Sequence, residues 1–273
     1  MTGVAVTELG TVQETALLTL WSRAAESTRP APILRDAKAV ELVQAIDYDF
    51  SKFAAYTRGQ LGCCCRAQIL DGYVAGFLQR HPDGTVVDIG AGLDTRFERL
   101  DNGKVRWFDL DLADSMAIRR KFFQECSRRR FLVGSVFDEA WWSALGEVRG
   151  EECLFVAEGV LLYFPERHVR RLFGRLADHF PGAHFALDAC SPLIRRTARF
   201  FEAVGTTRAS FQWGIADLRR IERWDRRHRV LETAQITRQH LERWPRWVRL
   251  LNDVLPVTRN FYTAGLVQLS APA

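Results

Sequence analysis

The stretch VVDIGAGLDTRF (86–97) joins an apolar β-branched run to an acid, two glycines spaced G-x-G and a second acid. Glycine lets a backbone turn sharply and leaves room for a ligand against it. Open parallel sheets bind ligands beyond the carboxyl ends of their strands. Gly90, Ala91 and Gly92 therefore stand where a nucleoside-type ligand would rest. Such a ligand also needs an acid about 20 residues on, at the end of the next strand, to accept hydrogen bonds from ribose hydroxyls. The run WFDLDL supplies two, Asp109 and Asp111. Strand periodicity puts both on one face and does not choose between them.

The turn also discriminates between ligands. A dinucleotide site usually carries a third glycine, G-x-G-x-x-G, around the pyrophosphate. Here Thr95 holds that position, and Asp94 puts negative charge where a phosphate would lie. S-adenosylmethionine has no phosphate, carries a sulfonium cation and tolerates nearby carboxylates, so it suits the turn better. An NAD-linked oxidoreductase and a non-catalytic cofactor-binding protein are the alternatives. Around the turn, Asp88 is expected to tie the glycines by hydrogen bonds, and Asp94 and Thr95 to cap the helix that follows. Arg96 is expected either to meet a ligand carboxylate or to pair locally. Tyr163 falls in a loop over the cleft, a candidate acceptor contact.

The elements that must hold these residues can be read from periodicity. Residues 11–27 have helical spacing, 28–34 form a proline-containing connector, and Asp36 caps a helix whose stripe is Ala39, Val40, Leu42, Val43 and Ile46. A longer helix runs from about Arg58 to Gln79, and the N-terminal third shows no strand. From Gly84 the pattern alternates. Strands TVVDIG, KVRWFDLDL, RFLVGSV, LFVAEGV and HFALDAC are separated by helices at 113–128, near Trp141 and from Pro165 to His179. RVLETAQIT, a Trp-rich helix at 241–251 and FYTAGLVQLS follow. This predicts an α/β fold: a doubly wound, mostly parallel sheet with an antiparallel edge. The expected domains are a helical N-terminal cap (1–83) and an α/β core (84–273) with a lid insertion at about 191–221.

Composition narrows the class. The 273 residues are 47% hydrophobic and 26% charged, ordinary for a globular chain with one substantial core. No long apolar run or basic, apolar leader is present, which predicts neither membrane association nor secretion. Three of the six cysteines are adjacent (Cys63 to Cys65) and no C-x-x-C pair occurs, so no metal site is expected and the thiols read as reduced, in a cytoplasm. The triplet reads as helix packing. The net charge of +5 is scattered, without the basic, aromatic-interleaved stripe of a nucleic-acid binder, and no base-methylating Asn-Pro-Pro-Tyr-type motif occurs. His168 and His184 read as surface or edge residues, Trp213 and Trp224 as packing.

AGLDTRFERL followed by VAEGVLLYF, with PAPILRDAKAVELVQAIDYDF before and WDRRHRVLETAQIT after, resembles the leucine carboxyl methyltransferase superfamily, in particular its bacterial polyketide (tetracenomycin-type) O-methyltransferase branch. The resemblance implies a class I, Rossmann-like methyltransferase fold and S-adenosylmethionine as cofactor. It implies that Gly90 and Gly92 approach the cofactor, that Asp111 binds the ribose and that Ser135 and Val136 flank the adenine. It also implies that Glu158, followed by Gly159, lies under the methionine part, and that Arg66 clamps the methionine carboxylate. Cys63 to Cys65 depart from the family pattern beside Arg66. The expected reaction is methyl transfer to an oxygen of a small molecule in secondary metabolism, a carboxylate in preference to a phenol because no general base stands out. The acceptor is expected to be acidic, or a carrier-bound or peptide carboxylate. Arg23 or Arg29 is expected to hold it, between the helical N-terminus and the lid.

Overall fold

The computed structural model describes residues 4–5, 11–197, 210–254 and 260–270. Part of the expected lid, 198–209, lies outside the described residues.

Seven strands form one sheet: β3 (Thr85–Ile89), β4 (Arg106–Asp111), β5 (Arg129–Val133), β6 (Cys153–Ala157), β7 (His184–Cys190), β8 (Arg229–Gln235) and β9 (Tyr262–Gln268). Their order is β5-β4-β3-β6-β7-β9-β8. All neighbours are parallel except β9, which runs antiparallel to both β7 and β8. The two late strands thus form the antiparallel edge, with β9 inserted inside β8. Strands β3, β6 and β7 are buried at every position, as expected of parallel strands covered on both faces. On one face Val86, Leu154 and Ala186 pack against Leu70, Val74 and Phe77 of α3 (Thr57–Arg80). On the other, Val87, Phe155 and Phe185 pack against Val169, Phe173 and Leu176 of α6 (Glu166–His179). Period-two alternation feeds both layers.

The cap is α1 (Thr11–Ser27) and α2 (Ala37–Ala45), whose Leu17, Leu20, Ala39 and Leu42 join Leu93, Met116 and Phe131 in a third cluster. Asp36 caps α2 as expected, accepting the Ala39 N–H at 2.9 Å. Val40 and Val43 of its stripe are only partly buried.

Several expected boundaries shift. A two-residue parallel pair, β1 (Val4–Ala5) with β2 (Ile46–Asp47), occurs in the N-terminal third. The helix expected at 113–128 stops as α5 (Ala113–Phe122), because Cys126 and Arg129 exchange backbone bonds that start β5. The Trp-rich helix near Trp141 is only a 3-10 turn (Trp142–Leu145), with both indoles buried. The helix expected at 241–251 is divided at Pro245, which has no N–H to donate, into a 3-10 turn (Leu241–Arg243) and a separate helix (Arg246–Val254). With α4 (Arg96–Leu100) and α7 (Pro192–Thr197), that last helix is α8.

Candidate active site

Register brings the site together. Ile89 pairs with Leu110 on one side and with Ala157 on the other, and Ala157 pairs with Leu187. The next residues, Gly90, Asp111, Glu158 and Asp188, therefore leave four adjacent strands side by side. This row spans β3 and β6, where strand order reverses, the place where such sheets open a crevice. The crevice is a cavity of about 1100 Å³. That exceeds the roughly 300–1,000 Å³ typical of one small-molecule site and leaves space for two ligands.

The glycine turn floors one end. Gly90 has φ +68°, and a Cβ there would stand 2.5 Å from Val160 Cγ2. The Gly90 N–H donates to Leu110 O at 2.8 Å, tying the turn to β4. Asp111 accepts the N–H of Gly92 at 2.7 Å and that of Leu112 at 2.7 Å, one on each oxygen. Burial raises its pKa against those two bonds. Asp109 is separate. It is fully buried and holds Arg129 at 2.6 Å, Arg119 at 3.1 Å and the Trp107 indole N–H at 3.0 Å. The structure therefore assigns Asp111 to the cavity and Asp109 to the interior. Ser135 and Val136, which follow β5, line the cavity beside Asp111.

Glu158 lies beside the turn. Arg66 Nε donates to it at 3.0 Å, and Arg96 pairs with its other oxygen. Burial opposes its charge, but the two guanidiniums outweigh burial and hold its pKa below the usual range. Gly159, at φ +67°, leaves room for Arg66, whose Nη1 would lie 3.2 Å from a Cβ there. Asp188 accepts the Gly159 N–H at 2.5 Å and faces Arg66 Nη1 at 3.4 Å. Arg96 resolves to local pairing: fully buried, it holds Asp71 at 2.8 Å and Asp94 at 2.6 Å as well as Glu158.

Two expectations about the turn need correction. Asp88 does not tie the glycines. Its Oδ2 is buried with no partner among the described residues, and the nearest cation, Arg96, is 3.7 Å from Oδ1. Burial pushes its pKa well above the carboxylate range. Asp94 does accept the Arg96 N–H at 2.8 Å, but Thr95, at the cap position, makes no capping bond because its hydroxyl turns to Asp36 at 2.5 Å.

Much of the remaining wall is aromatic, with Tyr56, Tyr163, Phe211, Trp244 and Trp247, and with Tyr262 hydrogen-bonded to Asp188 beside Arg66. Tyr163 stands edge-on to Phe211, ring centroids 5.6 Å apart. Burial raises the pKa values of Tyr163, Tyr262 and the Cys63 thiol. Among the described residues no histidine lines the cavity.

Arg23 and Arg29 do not serve as the expected acceptor clamps. Arg23 is bound to Asp36 at 2.9 Å and to Leu93 O at 3.0 Å, and Arg29 pairs with Glu26 at 3.3 Å away from the cavity. Trp213 and Trp224 pack together in the core as expected, 6.0 Å between centroids. Cys64 and Cys65 are buried in helix packing, whereas Cys63 reaches the cavity. His184 is buried, not a surface residue. Sequence reasoning missed Asp188, although a lone acid inside an otherwise apolar strand was a usable signal. It also missed Tyr262, Trp244 and Trp247, which no local pattern marks.

A model of the family described as leucine carboxyl methyltransferase matches residues 16–177. The chain belongs to this family. The tetracenomycin polyketide synthesis O-methyltransferase of Streptomyces glaucescens is 35% identical over 212 residues, 77% of this chain and 78% of that one. An S-adenosylmethionine-dependent methyltransferase of Gibberella zeae is 29% identical over 183 residues, 62% of this chain and 61% of its own length. Among solved structures, a candidate methyltransferase from Thermobifida fusca shares the fold, with TM-score 0.57 at 14% identity, covering 92% of this chain and 94% of that one. The protein is an S-adenosylmethionine-dependent O-methyltransferase. Its residues fit that cofactor: a glycine cradle, an acid at the neighbouring strand end and an unpartnered buried carboxylate oxygen at Asp88. Among the described residues no helix of the methyltransferase is long and apolar enough to cross a membrane.

Proposed function

We propose that the methyltransferase forms the methyl ester of an aromatic carboxylic acid in the biosynthesis of a secondary metabolite. One observation carries this reading. The titratable side chains described at the acceptor end are the phenols of Tyr56, Tyr163 and Tyr262 and the Cys63 thiol, with no histidine among them. Burial raises the pKa values of Tyr163, Tyr262 and Cys63, so none of those three is a base at neutral pH. A carboxylate is already ionised and needs none, whereas a phenol titrates near 10. The aromatic walls favour a flat, apolar acceptor body.

The cofactor brings a methyl group already activated on sulfonium. Gly90, Ala91 and Gly92 let its backbone side lie close, Asp111 accepts from the ribose, and Ser135 and Val136 flank the adenine. Arg66, beside Glu158 and Gly159, would hold the methionine carboxylate, and Oδ2 of Asp88, unpartnered among the described residues, would accept a hydrogen bond from the ammonium. Tyr163 contacts the acceptor. The cap (1–83) and the core (84–273), with Ile194, Ser210, Phe211 and Gln212 from the described ends of the 191–221 insertion, wall in both ligands and limit access of water. Alignment of oxygen, methyl and sulfur supplies roughly 7–11 kcal/mol of the barrier reduction. Free thiols at all six cysteines support a cytoplasmic setting.

The test uses methyl-labelled cofactor with panels of aromatic acids and phenols. Label released by mild base identifies an ester, while label confined to base-stable products overturns the carboxylate reading.

A further inference from the structure

We infer that Arg58, backed by Trp247, binds a second acidic group at the far end of the acceptor, so that the preferred acceptor is an elongated aromatic diacid. This rests on reading the acceptor as an aromatic carboxylic acid.

Arg58 lies in the first turn of α3 and lines the cavity. Its guanidinium stands over the Trp247 ring, 5.6 Å from the centroid. Arg23, Arg58 and Arg66 are the cations described on the cavity wall. Arg23 is matched by Asp36, and Arg66 by Glu158 and Asp188. No described carboxylate pairs with Arg58, which is exposed at the mouth of the cavity and stacks on Trp247, so its donors are open to a ligand's acid.

The helix sets the span. Arg58 and Arg66 are eight residues apart, about 12 Å along the axis at 1.5 Å per residue. Arg66 belongs to the cofactor end, so Arg58 cannot also touch the oxygen that receives the methyl. Between them α3 gives the wall Gly59, Gly62 and Cys63, and the Tyr56 ring lies against Gly59 in the space a side chain would take. At Gly62 the Trp244 indole closes on α3, 3.8 Å from where a Cβ would stand. An elongated acceptor in the cavity of about 1100 Å³ would lie past the Tyr56 and Trp244 rings, its reacting carboxylate toward the cofactor and its second acid toward Arg58. Arginine suits the task because its planar fork stacks on an aromatic face while its edge pairs with a carboxylate. Trp247 is 53% exposed, which an indole at a ligand entrance would be.

The test is calorimetry on the full chain saturated with S-adenosylhomocysteine, using naphthalene-2,6-dicarboxylate and 2-naphthoate as probes. The dicarboxylate should bind at least about tenfold tighter. Arg58→Met keeps the apolar stem but removes the charge, and should erase that difference while leaving S-adenosylhomocysteine affinity unchanged. Arg58→Lys should retain part of it, and Gly62→Leu should weaken both probes by pushing the Trp244 indole into the cavity. Equal affinities, a preference that survives Arg58→Met, or binding of neither probe overturns the inference. Base-stable label in the product assay would instead overturn ester formation and leave this binding result standing.

Discussion

At the scale of single residues, Asp109 and Asp111 show how far type and spacing carry. Both satisfy the rule of an acid closing the second strand, and their shared face left the choice open. Three-dimensional neighbours decide it. Arg119 and Arg129, which are 10 and 20 residues further on, converge on Asp109. Asp111 meets small donors, the backbone N–H groups of Gly92 and Leu112 and the Ser115 side chain, and no guanidinium bonds it among the described residues, so it can turn a lone pair to a ligand. Asp109→Ala should therefore cost about 3–5 kcal/mol of stability, since it strands two buried guanidiniums. Asp111→Ala should cost far less stability but weaken S-adenosylhomocysteine binding by about 10- to 100-fold, the loss expected of hydrogen bonds to a charged group. Urea denaturation and calorimetry on both variants separate the roles, and a reversed pattern would refute the assignment. The glycine turn and an acid closing the second strand were legible because chemistry demands those types at a fixed offset, whereas Asp111 in particular, Glu158 and Arg66 were expected only from the family resemblance. Asp188, which meets Arg66 behind the cavity wall, and Tyr262, which lines the cavity, were not legible, since they arrive through β7 and β9, whose pairing no local window contains.

Among elements, the strands were legible from their unbroken apolar runs, and helix ends were lost where tertiary contacts override local preference. Arg129 illustrates this. Helical spacing carries on past Phe122, but the pull of Asp109 and Glu98 draws Arg129 into β5. The contact between the β3 turn and the loop after β6 is equally non-local. Gly90→Ala combines a positive-φ penalty with the clash on Val160, and should destabilise by more than the 1–3 kcal/mol typical of backbone strain alone. Adding Val160→Ala should recover the steric part and leave about 1–2 kcal/mol, the cost of a left-handed L-residue. Full recovery in the double variant would show that φ is not constrained there. The cap is joined to the same turn through Asp36, which caps α2 and also binds Arg23, Thr95 and Arg99. Asp36→Asn keeps an oxygen for the cap but loses the charge. It should lower stability by about 3–5 kcal/mol in thermal or urea unfolding, and a loss below 1 kcal/mol would mean the cap is held by its apolar cluster alone.

Across the whole molecule, a buried chain of charge runs from Arg23 through Asp36, Arg99, Asp71, Arg96, Glu158 and Arg66 to Asp188, with Asp88 and Asp94 joined at Arg96. Four arginines thus meet six acids, an excess of two, and the two acids displaced upward by burial are Asp88 and Asp188. Raised acids favour the fold below their unfolded pKa and lose that advantage as pH rises. Glu158 and Asp94, held low against burial by their arginines, stabilise above the unfolded carboxylate range and lose that contribution in acid. His184 acts in a different window. Burial first, then Arg80 and His81, lowers its pKa from 6.5 to about 4. Below 6.5 the unfolded chain takes up a proton that the folded chain refuses, so its stabilisation is complete above pH 6.5 and falls as pH drops toward 4. At about 1.36 kcal/mol per pH unit, the loss between pH 6.5 and 5 approaches about 2 kcal/mol. His184→Phe, beside Phe77 at 5.7 Å between centroids, removes that titration. Subtracting the variant's stability curve from the wild type's cancels the carboxylates and His228, whose pKa is also lowered by burial. The difference should slope through pH 6.5 to 5 and stay level above 7; a flat difference would mean that the imidazole charges without cost in the folded protein.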